Sequence, residues 1–67
     1  MNHADRMRVV AERVRDFVTA SAEGKRQSYS EFLRGVRLEL GVGDLAVRRV
    51  LRQDYGFQIE DDRLVRA

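Results

Sequence analysis

The sequence predicts a mainly α-helical fold that ends in a small antiparallel β-hairpin. Three stretches of the chain repeat apolar residues at the three- and four-residue spacing of a helix face. The C-terminal stretch changes to two short apolar runs on either side of a polar turn, which is typical of a hairpin. With 67 residues and no cysteine, the chain can support one small hydrophobic core, so residues 1–67 are expected to form a single domain.

The first helix is predicted to run from Ala4 to about Ala22. Gly24 follows at the position where a glycine in the left-handed conformation ends a helix. The residues of its apolar face are Met7, Val10, Ala11, Val14, Phe17 and Val18.

The second helix is predicted from about Glu31 to Leu40, with Gly41 at its natural end. Ser28 and Glu31 match the capping box S-x-x-E, and Ser30 is an equally good N-cap. The apolar stripe of this helix consists of Phe32, Leu33, Val36 and Leu40.

The third helix is predicted from about Leu45 to Asp54, with Asp44 as its N-cap. Val47, Val50 and Leu51 face one way. At about 100° per residue, the opposite side of the helix is formed by Leu45, Arg48, Arg49 and Arg52.

The hairpin is predicted from two apolar pairs that surround a cluster of carboxylates. Phe57 and Ile59 precede the cluster, and Leu64 and Val65 follow it. The turn is expected at Glu60, Asp61 and Asp62. Residues 27–29 are expected to add a very short third strand, because an isolated two-stranded hairpin is only marginally stable in water.

Positive charge is concentrated in the middle of the chain. The formal net charge is +2, with twelve arginines and one lysine. Residues 1–23 are neutral, residues 24–53 carry a net charge of +4, and residues 54–67 carry −2. A basic block of this kind indicates an anionic partner such as nucleic acid.

The order of elements resembles that of the winged helix-turn-helix superfamily, in its bacterial or phage DNA-binding type, over nearly the whole chain. The apolar and glycine positions of the helix-turn-helix motif are matched by Val36, Leu40, Gly41, Val42, Val47 and Val50. The run of residues 47–52 is similar to the recognition helix of many bacterial repressors. The chain departs from the pattern at Arg37, where the motif prefers a small residue, and in its wing, which is acidic rather than basic.

The resemblance implies a small double-stranded-DNA-binding protein that regulates transcription or organises DNA. Arg48 and Arg52 would donate to guanine edges, and Leu45 would contact a thymine methyl group. Positively charged neighbours would neutralise phosphates. These neighbours are Arg49, Arg34, Arg37 and Arg26.

Two alternatives to DNA binding stay open at this point. The same fold can serve as a protein-interaction or dimerisation module, with Leu38, Asp61 and Asp62 at the interface of a partner or of a homodimer. RNA binding is a weaker alternative, because only Tyr29 and Tyr55 remain to stack on bases once the phenylalanines are assigned to the core.

Composition also bears on chemistry and location. The chain has no cysteine and one histidine, so no metal site, no cofactor and no enzymatic activity are expected. No small-molecule substrate is expected either. The sequence lacks an apolar run long enough for a membrane span or a signal peptide, which predicts a cytoplasmic protein.

Overall fold

The computed structural model describes residues 1–67 as three helices followed by a two-stranded antiparallel sheet. The helices are α1 (His3–Ala22), α2 (Tyr29–Leu40) and α3 (Asp44–Tyr55), and the strands are β1 (Phe57–Glu60) and β2 (Arg63–Arg66). The predicted fold class, three helices and a hairpin, is therefore confirmed. No helix is both long enough and apolar enough to cross a membrane.

Helix α1 is capped at both ends by local hydrogen bonds. The side chain of Asn2 accepts a hydrogen bond of 2.8 Å from the backbone N–H of Asp5. At the other end Gly24 has a φ of 86°, and the N–H of Lys25 donates to the carbonyl of Ala20. This is the Schellman arrangement, and it confirms the predicted role of Gly24.

Helix α2 begins two residues earlier than the apolar pattern predicts. Ser28 is its N-cap and accepts a hydrogen bond of 3.2 Å from the N–H of Glu31. Ser30, the alternative N-cap, lies inside the first turn, so that alternative is wrong. The helix ends as predicted at Gly41, which has a φ of 67°.

Helix α3 has a different N-cap from the predicted one. Gly43 occupies the N-cap in an extended conformation, without a side-chain hydrogen bond. Asp44 is the first helical residue, and its carboxylate binds Tyr29 and Arg48 instead of the helix N–H groups. The prediction failed because Asp44 has partners from outside its own turn.

The hydrophobic core is formed where the three helices meet. Phe17 of α1 stacks on Phe32 of α2, with ring centroids 4.5 Å apart. Tyr29 is 3% exposed, so its ring belongs to the core and is not free to stack on a nucleic-acid base. The fully or nearly buried residues are Val10, Val14, Phe17, Tyr29, Val36, Val42, Val47 and Leu51.

The hairpin packs beside α3 and turns through two residues. Its register pairs Phe57 with Arg66 and Glu60 with Arg63. Asp61 and Asp62 form the turn with φ values of 50° and 65°, a conformation that aspartate tolerates better than most residues. Glu60, which was predicted in the turn, is the last residue of β1.

The predicted third strand does not form. Residues 27–29 contribute one backbone hydrogen bond to the hairpin, 3.1 Å from the N–H of Tyr29 to the carbonyl of Asp62. Ser28 is already the N-cap of α2 and Tyr29 is helical. The helix begins too early to leave an extended segment for pairing.

Candidate nucleic-acid interface

The outward side of α3 carries three arginines and an exposed leucine, as the helical spacing predicts. We call Leu45, Arg48, Arg49 and Arg52 the arginine face. Leu45 is 73% exposed, whereas Val47 and Leu51 on the opposite side are fully buried. Because one side of α3 is buried, the opposite side, which carries the arginines, faces solvent. The arginine face lines a shallow hollow of about 270 Å³.

A second, larger depression lies between α2, α3 and the tip of the hairpin. We call it the groove; its volume is about 610 Å³ and it is open to solvent. Leu33 and Ile59 contribute apolar surface to it, and Arg34, Arg37 and Arg48 contribute positive charge. Arg37 is exposed, so its size is accommodated in solvent despite the small residue that the motif prefers there.

The arginines of α2 and α3 differ in whether a carboxylate neutralises them. Arg48 forms an ion pair with Asp44, with 2.8 Å between Nε and Oδ1. The other four arginines on these helices form no ion pair. They are Arg34, Arg37, Arg49 and Arg52. Their full charge is thus available to an anionic partner.

Arg48 belongs to a network that joins α2 to α3. Asp44 Oδ1 also accepts a hydrogen bond of 2.7 Å from the phenol of Tyr29. The guanidinium of Arg48 lies 5.3 Å from the centre of the Tyr29 ring, within cation–π distance. Burial, and then the bond to Asp44, raises the pKa of Tyr29 far above its usual value. The hydrogen bonds from Arg48 and Tyr29 lower the pKa of Asp44.

The acidic tip of the hairpin is folded back onto the start of α2. Asp62 accepts hydrogen bonds from the hydroxyl of Ser28 and from both the N–H and the hydroxyl of Ser30. These bonds lower the pKa of Asp62, those from the two serine hydroxyls most strongly. The negative charge faces the N-terminus of α2, where a helix favours an anion. Asp61 next to it is exposed and lines the groove.

We expect stability to fall in acid because the carboxylates of Asp62 and Asp44 have lowered pKa values in the folded state. A carboxylate whose pKa is lower in the folded than in the unfolded state stabilises the protein at pH values above its unfolded pKa of about 4. This stabilisation is lost as the pH falls through the folded pKa. The free energy of unfolding in urea should therefore decrease below about pH 4. In Asp62→Asn this decrease should be smaller, and the protein should be less stable at pH 7. If the free energies of unfolding of the two proteins change with pH in parallel, Asp62 is not the source of the acid sensitivity.

Not all predicted site residues come together. Arg26 lies in the loop between α1 and α2, beside Phe17 and Phe32, and lines neither the groove nor the hollow. Leu38 is 76% exposed and lies on the rim of the groove. Sequence reasoning missed the pairing of Asp44 with Arg48, although their four-residue spacing on a helix was a readable signal.

Comparison of the chain with protein-family models, with curated proteins and with solved structures finds no match in any of the three. No group of three or more histidine, cysteine, aspartate or glutamate side chains is placed to hold a metal ion. The geometry that bears on function is therefore the arginine face, the groove beside it and the hairpin tip.

Proposed function

We propose that the protein binds double-stranded DNA, with α3 in the major groove and α2 against the sugar–phosphate backbone. The observation that carries this proposal is the set of four arginines on α2 and α3 that no carboxylate neutralises. A guanidinium binds phosphate through two parallel hydrogen bonds, and an α-helix fits the major groove of B-DNA. The positive charge of residues 24–53 supports the same partner.

The proposal gives the side chains different roles. Arg48 and Arg52 lie one turn apart on the arginine face and donate to base edges, while Leu45 offers apolar contact to a thymine methyl group. Arg34, Arg37 and Arg49 bind phosphates. The hairpin corresponds to the wing of a winged helix-turn-helix protein, and the biological role is regulation of transcription or organisation of DNA.

The acidic wing is compatible with this proposal. The carboxylate of Asp62 is bonded to the first turn of α2, where it is stabilised by three donors. Its charge is partly balanced by the positive end of the helix. Repulsion of phosphate is therefore expected mainly from Glu60 and Asp61, which are exposed.

The test is fluorescence anisotropy of a labelled mixed-sequence duplex, titrated with protein at low and at physiological salt. We expect micromolar or tighter binding at low salt that weakens steeply as salt increases, because phosphate contacts release counterions. Arg34→Ala should weaken binding to all sequences alike and reduce the slope of log K against log salt by about 0.9. Absence of binding at low salt would refute the proposal.

A second candidate function is protein–protein association, including homodimerisation, through the groove. It is favoured by Leu38, which is 76% exposed on the rim of a groove with apolar surface. If this function holds, sedimentation at increasing protein concentration detects self-association. Sedimentation in the presence of a partner protein detects a complex with that partner. Leu38→Asp should abolish the complex and leave folding intact, and Asp61→Asn, which keeps the turn conformation, tests the contribution of charge.

A further inference from the structure

The position of Arg48 is determined by two other side chains rather than by its own helix alone. Its Nε donates to Asp44 Oδ1 at 2.8 Å, and the same oxygen accepts from the Tyr29 phenol at 2.7 Å. The guanidinium also lies 5.3 Å from the centre of the Tyr29 ring. Because Tyr29 is 3% exposed, its side chain is held in place by the hydrophobic core. Arg49 and Arg52 make no comparable contacts.

The bond to Asp44 leaves the far end of Arg48 available. A guanidinium has five N–H donors in a rigid plane, and the one on Nε donates to Asp44. The two terminal nitrogens form no ion pair, and the side chain is about half exposed, at 48%. Two parallel donors at a fixed angle match the O6 and N7 acceptors of guanine in the major groove.

The ion pair also separates the role of Arg48 from that of its neighbours. Asp44 cancels most of the charge of Arg48 at a distance, so this arginine adds little to the general attraction for phosphate. The donors on the two terminal nitrogens can still form directional hydrogen bonds at short range. Arg34, Arg37 and Arg49 keep their full charge and supply affinity that does not depend on sequence.

We propose that Asp44 and Tyr29 are positioning residues that hold Arg48 as the guanine-reading side chain of this protein. The inference rests on the proposed function, since it requires DNA in front of α3. It goes further by assigning guanine recognition to Arg48 among the five arginines of α2 and α3, and by naming the groups that orient it. Loss of either positioning group frees the Arg48 side chain to sample other directions, which weakens discrimination more than affinity.

The experiment selects preferred duplexes from a randomised library with the wild-type protein and then replaces each G·C pair of the selected site by A·T. We expect one replacement to weaken wild-type binding by on the order of 10- to 100-fold, the range of one bidentate base contact. Arg48→Ala should remove this preference. Asp44→Asn should reduce it several-fold, while binding to a mixed-sequence duplex stays equal or becomes tighter because a negative charge has been removed. Tyr29→Phe, which deletes only a buried hydroxyl, should also reduce the preference, but less than Asp44→Asn does.

A double-mutant cycle separates positioning from direct base reading by Asp44, because a carboxylate can itself accept a hydrogen bond from cytosine. If Asp44 acts through Arg48, Asp44→Asn has no further effect on the preference in the Arg48→Ala background. A change in that background, or a full wild-type preference in Asp44→Asn, would overturn the inference. Circular dichroism and the urea midpoint of each variant verify that it is folded.

The results also distinguish the guanine-reading role of Arg48 from the DNA binding on which it rests. A wild-type protein that binds duplexes but selects no preferred sequence would overturn the guanine-reading role and leave DNA binding intact. A wild-type protein that binds no duplex at low salt would overturn both.

Discussion

Leu51→Ala is expected to destabilise the protein by about 2–5 kcal/mol, the usual range for removing a fully buried leucine from a core. Leu51 is 0% exposed and lies on the inner side of α3. A domain of 67 residues without disulfide bonds has a small reserve of stability, of about 3–5 kcal/mol. The variant should therefore be largely unfolded at 37 °C, which thermal and urea unfolding followed by circular dichroism will measure.

Leu38→Ala is the matched control for this prediction. It deletes the same atoms from a helix, but Leu38 is 76% exposed and packs on nothing that the change would leave empty. Its effect should be within about 0.5 kcal/mol. Equal losses in the two variants would mean that α3 does not pack against α1 and α2 as described.

Arg48→Ala/Arg52→Ala is expected to weaken duplex binding by about 2–6 kcal/mol, if each arginine contributes the 1–3 kcal/mol of a base contact. The two side chains lie one turn apart on the exposed side of α3. Removal of Arg48 also leaves Asp44 without its ion-pair partner, which places an uncompensated negative charge next to the phosphates. Fluorescence anisotropy with a duplex of the selected preferred sequence, at low and at physiological salt, measures the loss.

Arg8→Ala/Arg15→Ala provides a control with the same net charge. Both arginines lie on the solvent side of α1, with side chains 69% and 63% exposed. Their removal should change duplex affinity far less than the loss of Arg48 and Arg52, because they lie outside the arginine face. A loss as large as that of the α3 variant would show that binding depends on total charge and not on this surface.

The helices could be predicted largely from local patterns because their determinants are local. The spacing of Val10, Val14 and Phe17 places these residues on one side of α1, and all three are buried. Gly24 and Gly41 adopt the left-handed conformation at the positions where the helices were expected to end. These features depend on residues within one or two turns, so the sequence order alone contains them.

The errors arose where a side chain has a distant partner. Asp44 looks like an N-cap by its position, but the buried phenol of Tyr29, fifteen residues away, competes for its carboxylate. Asp62 looks like part of a solvated turn, but it bonds to Ser28 and Ser30, more than thirty residues earlier in the chain. No local pattern records such contacts, because they exist only once the elements have packed.

The sequence by itself determined the fold class, the extent of the helices to within two residues at every end, and the side of α3 on which the arginines lie. These follow from periodicity, which acts within each element. Only the tertiary structure decided that the carboxylate of Asp44 is shared with the buried phenol of Tyr29, and how the hairpin tip is held. These hydrogen bonds require groups from different elements to approach within hydrogen-bond distance, and the packing of α2, α3 and the hairpin around the core sets that distance.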